Sequence, residues 1–169
     1  ELGNKGILAL MSDSTNSERK GFTMSEKSVG AVFDKLFMNC KKRIVVATFA
    51  SNVHRVQQIV DSAVKYGRKI AVCGRSMINM IENARALGYI NAPEDIFIDI
   101  DLIRNYNDEQ LVIITTGSQG ETMSALTRMA AGEHKKVTIT PNDLVIISAN
   151  AIPGNEKLVS KVIDDLMKI

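Results

Sequence analysis

Short apolar runs alternate along this chain with stretches in which apolar residues recur every three or four positions. The runs Ile7–Met11, Arg43–Thr48, Lys69–Cys73, Ile96–Ile98, Leu111–Thr115 and Leu144–Ser148 are continuous and rich in Ile and Val. Such runs predict strands covered on both faces. The intervening stretches predict helices. Ser25–Cys40 carries Val29, Val32, Phe33, Leu36 and Phe37 at helical spacing; Val53–Tyr66 carries Val56, Ile59, Val60 and Ala63 before Gly67. Ser76–Leu87 stops at Gly88, Thr122–Ala131 at Gly132, and Asn155–Met167 closes the chain. This alternation, with short connections, predicts an α/β fold of three layers, a mostly parallel sheet flanked by helices.

Three predicted strands end in small polar residues. Ile7–Met11 runs into Ser12-Asp13-Ser14-Thr15-Asn16, Arg43–Thr48 into Ala50-Ser51-Asn52-Val53-His54-Arg55, and Leu111–Thr115 into Thr116-Gly117-Ser118-Gln119-Gly120-Glu121. In a parallel sheet all strand C-termini share one edge, and ligands bind in the crevice outside it. The pattern therefore predicts a polar edge suited to phosphate.

Each cluster also has a plainer reading. Ser51 and Asn52 stand before a predicted helix, where exposed backbone amides favour an anion, but Ser and Asn are also favoured helix caps. Gly117 and Gly120 permit close backbone approach or a tight turn. Neither a P-loop nor a dinucleotide fingerprint is present, because no Gly-Lys-Ser/Thr and no third glycine follow. Asp13 can orient a histidine, hold a metal or cap a turn. Gly74-Arg75-Ser76 adds a basic group after another strand, or is a turn and cap. Lys41-Lys42-Arg43 and His134-Lys135-Lys136 are read as solvated turns at the opposite end of the sheet. Thr140-Pro141-Asn142-Asp143 is read as a turn before a strand.

The composition narrows the classes without choosing among them. The chain has 169 residues, 45% hydrophobic and 24% charged, enough for one domain with a sizeable core. A net charge of +2 gives no global signal for nucleic acid, so an anion site must be local. The two cysteines, Cys40 and Cys73, and the two histidines, His54 and His134, have no metal-ligand spacing. A reducing cytoplasm fits, and no run has the length of a membrane span or a signal peptide. The chain begins Glu1-Leu2-Gly3 and ends Met167-Lys168-Ile169, which reads like cuts inside a longer protein.

Five strings together resemble a known family. Leu-Met-Ser-Asp-Ser-Thr-Asn (10–16), Ala-Thr-Phe-Ala-Ser-Asn-Val-His-Arg (47–55), Gly-Arg-Ser-Met (74–77), Thr-Gly-Ser-Gln-Gly-Glu (116–121) and Ile-Pro-Gly-Asn-Glu (152–156) are similar, in order, to the β-CASP domain of bacterial ribonuclease J. The resemblance implies a Rossmann-like sheet, with residues 1–169 forming a single β-CASP domain excised from a longer enzyme. Flanking metallo-β-lactamase segments and a C-terminal domain would lie outside it. The implied activity is 5′-to-3′ exonucleolytic and endonucleolytic cleavage of single-stranded RNA, favouring a 5′-monophosphate, in rRNA processing and mRNA decay. Two zinc ions would sit in the metallo-β-lactamase domain, which is also the expected intramolecular partner. No metal is expected within this chain, because the His-x-His-x-Asp-His motif is absent, and the fragment alone is expected to be inactive. A homo-oligomer or paralogue complex is expected of the full-length protein.

Residue by residue, the resemblance gives Asp13 a supporting catalytic role beside a histidine near the metals. It gives Ser51, Asn52 and Val53 the substrate; His54 and Arg55 add charge beside them, and Ser12, Arg75, Gly117, Ser118, Gln119, Glu121 and Ser148 are further candidate contacts. The sequence departs from the family at Thr122, where Pro is common, and at Asn150-Ala151, where Ser-Pro is common. Two competing readings drop the nuclease, and the first of them keeps the ligand-binding edge. One is a free-standing α/β module for a small phosphorylated ligand such as a nucleotide; the other is a domain serving assembly with a partner subunit.

Overall fold

The structure is a computed structural model that describes residues 3–14, 17–18, 20–22 and 25–169. Its sheet is built from β1 (Arg43–Ala47), β2 (Lys69–Cys73), β3 (Phe97–Ile98), β4 (Leu111–Thr115) and β5 (Asp143–Ile147). Every pairing is parallel and the spatial order is β3-β2-β4-β1-β5. The helices are α1 (Lys27–Phe37), α2 (Val53–Lys65), α3 (Arg75–Ala86), α4 (Ala125–Ala130) and α5 (Glu156–Leu166).

Strand alternation divides the core into two halves. Ile44 and Val46 of β1, Ile70 of β2, and Val112 and Ile114 of β4 face one side, against Phe33 and Phe37 of α1, Val56, Ile59 and Val60 of α2, and Met77 and Ile81 of α3. Val45, Ala71, Leu111 and Ile113 face the other, against Ala125 and Met129 of α4 and the run Val137–Ile139. Val162 of α5 joins that second side through Ala47 and Leu126. The central strands are thus sealed on both faces, which is why they read as continuous apolar runs rather than as alternation. Burying each Val or Ile contributes about 1.5–3 kcal/mol.

One predicted strand is not there. Ile7–Met11 pairs with no strand, and Leu8, Leu10 and Met11 are almost fully exposed. An apolar run becomes a strand only where neighbouring backbone and side chains cover it, and no described residue covers this one. The first polar cluster therefore follows no strand of the sheet, and its Thr15 and Asn16 lie outside the described residues.

Candidate functional site at the C-terminal edge of the sheet

Because every strand is parallel, the ends of β1, β2, β4 and β5 come to one edge. The loops Thr48–Asn52, Gly74, Thr116–Ser124 and Ser148–Asn155 leave from it.

At the end of β1 the chain turns through Ala50 and Ser51, the Asn52 amide donating to the Phe49 carbonyl at 3.2 Å. Asn52 caps α2, its Oδ1 accepting the Arg55 amide at 3.0 Å. That bond uses one of the amides a helix N-terminus leaves open; among the described residues none accepts from the Val53 or His54 amide. Ser51 and His54 are exposed. The cap and the anion-facing arrangement therefore coexist in the same turn.

Arg55 is turned inward. Its Nε and one terminal nitrogen donate to the two carboxylate oxygens of Glu26, and the other terminal nitrogen donates to the Ser148 carbonyl (2.8 Å) and Oγ (2.7 Å). The Arg55 guanidinium holds the Glu26 carboxyl below the usual glutamate range. Glu26 also receives the Asn52 side-chain amide at 3.5 Å, and its carbonyl receives Gln58 Nε2 at 2.9 Å. Sequence reasoning missed Glu26, because nothing local connects it to a residue 29 positions later.

The loop after β4 has both inward and outward residues. Ser118 and Gln119 are buried. Gln119 Nε2 donates to the Asn150 carbonyl at 2.9 Å, and its Oε1 accepts the Ile152 amide at 2.7 Å. It clasps the β4 loop to the β5 loop. Gly117 and Gly120 both have positive φ, and a Cβ on Gly120 would lie 2.5 Å from the Leu158 backbone. Glycine here allows α5 to pack on the loop. Glu121 is exposed at the rim, one oxygen accepting the Gln119 amide at 3.3 Å. Thus Gly117, Ser118, Gln119 and Ser148 shape the edge, while Ser51, His54, Arg75 and Glu121 present themselves to solvent.

A cavity of about 720 Å3 opens between the ends of β2 and β4, lined by Arg75, Ser76, Thr116, Glu121, Arg128 and His134 among others. His134 corrects the expectation that its turn is solvated at the far end of the sheet. Helix α4 has only six residues, about 9 Å of rise, so the turn after it has not yet crossed the sheet. His134 Nδ1 accepts the Lys136 and Val137 amides (3.3 and 3.1 Å), while Nε2 lies 3.4 Å from Cys73 Sγ. With Nδ1 accepting, Nε2 carries the proton and faces the sulfur. Burial lowers the His134 pKa and raises that of Cys73, so the pair is a neutral imidazole against an un-ionised thiol. Arg43 is likewise not a solvated turn residue; it forms a two-point ion pair with Asp143 at 2.7 and 2.6 Å. The Asp143 amide returns to the Thr140 carbonyl at 3.0 Å, as the predicted turn requires.

Zinc, which the family resemblance implies, has no fitting site among the described residues, where no group of three or more His, Cys, Asp and Glu side chains converges. Asp13 lies on no strand of the sheet and is exposed. No helix of the described residues is long and apolar enough to cross a membrane.

Comparison with known proteins agrees with this architecture. Residues 41–166 match the family described as "Ribonuclease J, beta-CASP domain". The chain is 53% identical over 166 residues to ribonuclease J of Helicobacter pylori strain 26695, covering 98% of this chain and 24% of that protein. It is 50% identical to ribonuclease J of Synechocystis, covering 99% of this chain and 26% of that protein. With ribonuclease J of Mycobacterium tuberculosis strain H37Rv the figures are 47%, 99% and 30%. The chain thus spans about a quarter of the length of these relatives. The match, the all-parallel sheet and the polar strand ends agree: this chain belongs to the β-CASP domain family of ribonuclease J.

Proposed function

We propose that the chain is the RNA-binding part of a zinc-dependent ribonuclease of the ribonuclease J type, acting in the cytoplasm in rRNA maturation and mRNA decay. Residues 1–169 serve as one β-CASP domain in this reading. The metallo-β-lactamase domain that would hold two zinc ions is supplied from outside this chain and forms the opposite wall of the RNA path. The carrying observation is the convergence of polar strand ends on one edge of the sheet in a chain of this family. The substrate is single-stranded RNA, cleaved both from a 5′-monophosphate end and internally.

The open amides at the start of α2, with Ser51 and Asn52, take a phosphate, because backbone N–H groups and the helix dipole favour an anion there. Val53 and His54 complete that turn, and Arg55 acts through the loops it ties rather than by touching RNA. Ser12, Arg75 and Glu121 are further contacts, and Gly117, Ser118, Gln119 and Ser148 hold the loops in place. Asp13 supports a histidine of the metal centre in the intact enzyme.

Replacing Ser51 and Asn52 together in the intact protein tests the reading. Processing of 5′-monophosphorylated RNA should weaken, and unchanged kinetics would remove these residues from the site. The isolated chain is expected to cleave no RNA with added zinc; robust zinc-dependent cleavage by it would overturn the division of labour.

A further inference from the structure

The crevice between β2 and β4 is a place where the chain changes direction. From β2 it continues into α3, which packs with the Ile44–Ile70 side of the sheet. From β4 it continues into α4, which packs with the Val45–Ile113 side. Neighbouring strands whose connections leave to opposite faces open a crevice at their C-terminal ends, and such switch points are where α/β sheets bind ligands.

The crevice is built close to the backbone. Gly74 has φ +98°, and a Cβ there would lie 2.5 Å from Thr116 Oγ1. Arg75 opens α3 and is exposed, and Arg128 of α4 is half-buried. Arg128 spends one bond on the Glu133 carbonyl at 3.2 Å. Against these two guanidinium groups stands the single carboxylate of Glu121 on the rim. His134, held neutral by its two backbone donors, adds a wall without a charge. The lining contains neither Phe nor Tyr and is mostly polar and cationic side chains. Its chemistry suits the sugar–phosphate backbone.

We propose that this crevice holds a phosphodiester of single-stranded RNA, with Arg75 and Arg128 as its cations, distinct from the phosphate at Ser51 and Asn52. The inference rests on the RNA-binding reading above. It gives Arg128, which the sequence did not single out, a direct contact. β1 and β2 are separated by β4, so the two strand ends that carry these contacts are about 10 Å apart. One strand lying along the edge meets both.

The test is equilibrium binding by the intact protein across a salt series, with a long 5′-monophosphorylated single-stranded RNA and with a nucleoside 5′-monophosphate. For the long RNA, Arg128→Ala should cost about 3- to 10-fold in affinity and flatten the log K against log salt slope by about 0.7. Arg128→Lys, which keeps the charge, should retain the slope, and the nucleoside monophosphate should bind Arg128→Ala as it binds the parent. Long-RNA affinity and slope unchanged in Arg128→Ala would overturn the proposal. Equal loss for the nucleoside monophosphate would also overturn it, making the crevice a small-ligand pocket. If replacing Ser51 and Asn52 abolishes RNA binding while Arg128→Ala does not, only the crevice assignment falls. If the parent protein binds no RNA, the RNA-binding reading itself falls.

Discussion

Arg55 grips both carboxylate oxygens of Glu26, and its remaining nitrogen reaches Ser148 at 2.8 and 2.7 Å. One guanidinium thereby joins the start of α1, the first turn of α2 and the end of β5. Arg55→Ala should destabilise the fold by about 1–3 kcal/mol, since it removes several charge-assisted bonds at once. Arg55→Lys should recover little, because an ammonium cannot reproduce the planar fork. Urea unfolding midpoints of the three proteins measure this; full recovery by Lys would mean that charge alone matters.

The same pair gives a pH dependence. The folded-state pKa of Glu26 is below its ordinary value of 4.5, so its contribution is complete above that value and lost as the pH falls through the folded-state value. Glu26→Gln should therefore be less stable than the parent at neutral pH, and the gap should close in acid. A gap of constant size from neutral to acid pH would show that the carboxylate charge is not the source.

Gly120 and Gly88 share a positive φ, 73° and 75°, but only Gly120 is crowded, by the Leu158 backbone. Gly88→Ala should cost about 1–2 kcal/mol from backbone strain alone. Gly120→Ala should cost about 2–5 kcal/mol, because the clash with α5 adds to the strain. Equal costs by denaturant unfolding would show that α5 yields freely.

Gln119 offers a local test. Gln119→Ala leaves the Ile152 amide and the Asn150 carbonyl without their partner, a loss of about 1–3 kcal/mol. Hydrogen exchange at the Ile152 amide should accelerate more than exchange in β4. Unchanged protection at Ile152 would remove the clasp.

The layers were legible in the sequence because they rest on burial on both sides of the sheet. β2 and β4 match the predicted bounds, β1 ends one residue earlier than predicted, and β5 is shifted by one residue at both ends. The run Ile7–Met11 carries the same apolar signal without a neighbour to cover it, and forms no strand. Sequence proximity also misplaced chemistry. His134 sits beside Lys135 and Lys136 in a string that looks solvated, yet a six-residue helix leaves it against Cys73. Arg55 looks like a free cation beside Ser51 and Asn52 until its distant partner Glu26 is seen. Ser118 and Gln119 look like exposed loop polars, and their burial depends on where α5 packs.

In the proposed function RNA lies along the C-terminal edge of the sheet. The most direct measurement is residue-resolved protection of the intact protein by 5′-monophosphorylated single-stranded RNA, by hydrogen exchange or amide chemical shifts. Changes are expected at Ser51–Arg55, Arg75–Ser76 and Thr116–Glu121, and none at the opposite edge around Lys41, Glu109 and Pro141. Protection confined to Lys41, Glu109 and Pro141 would contradict it.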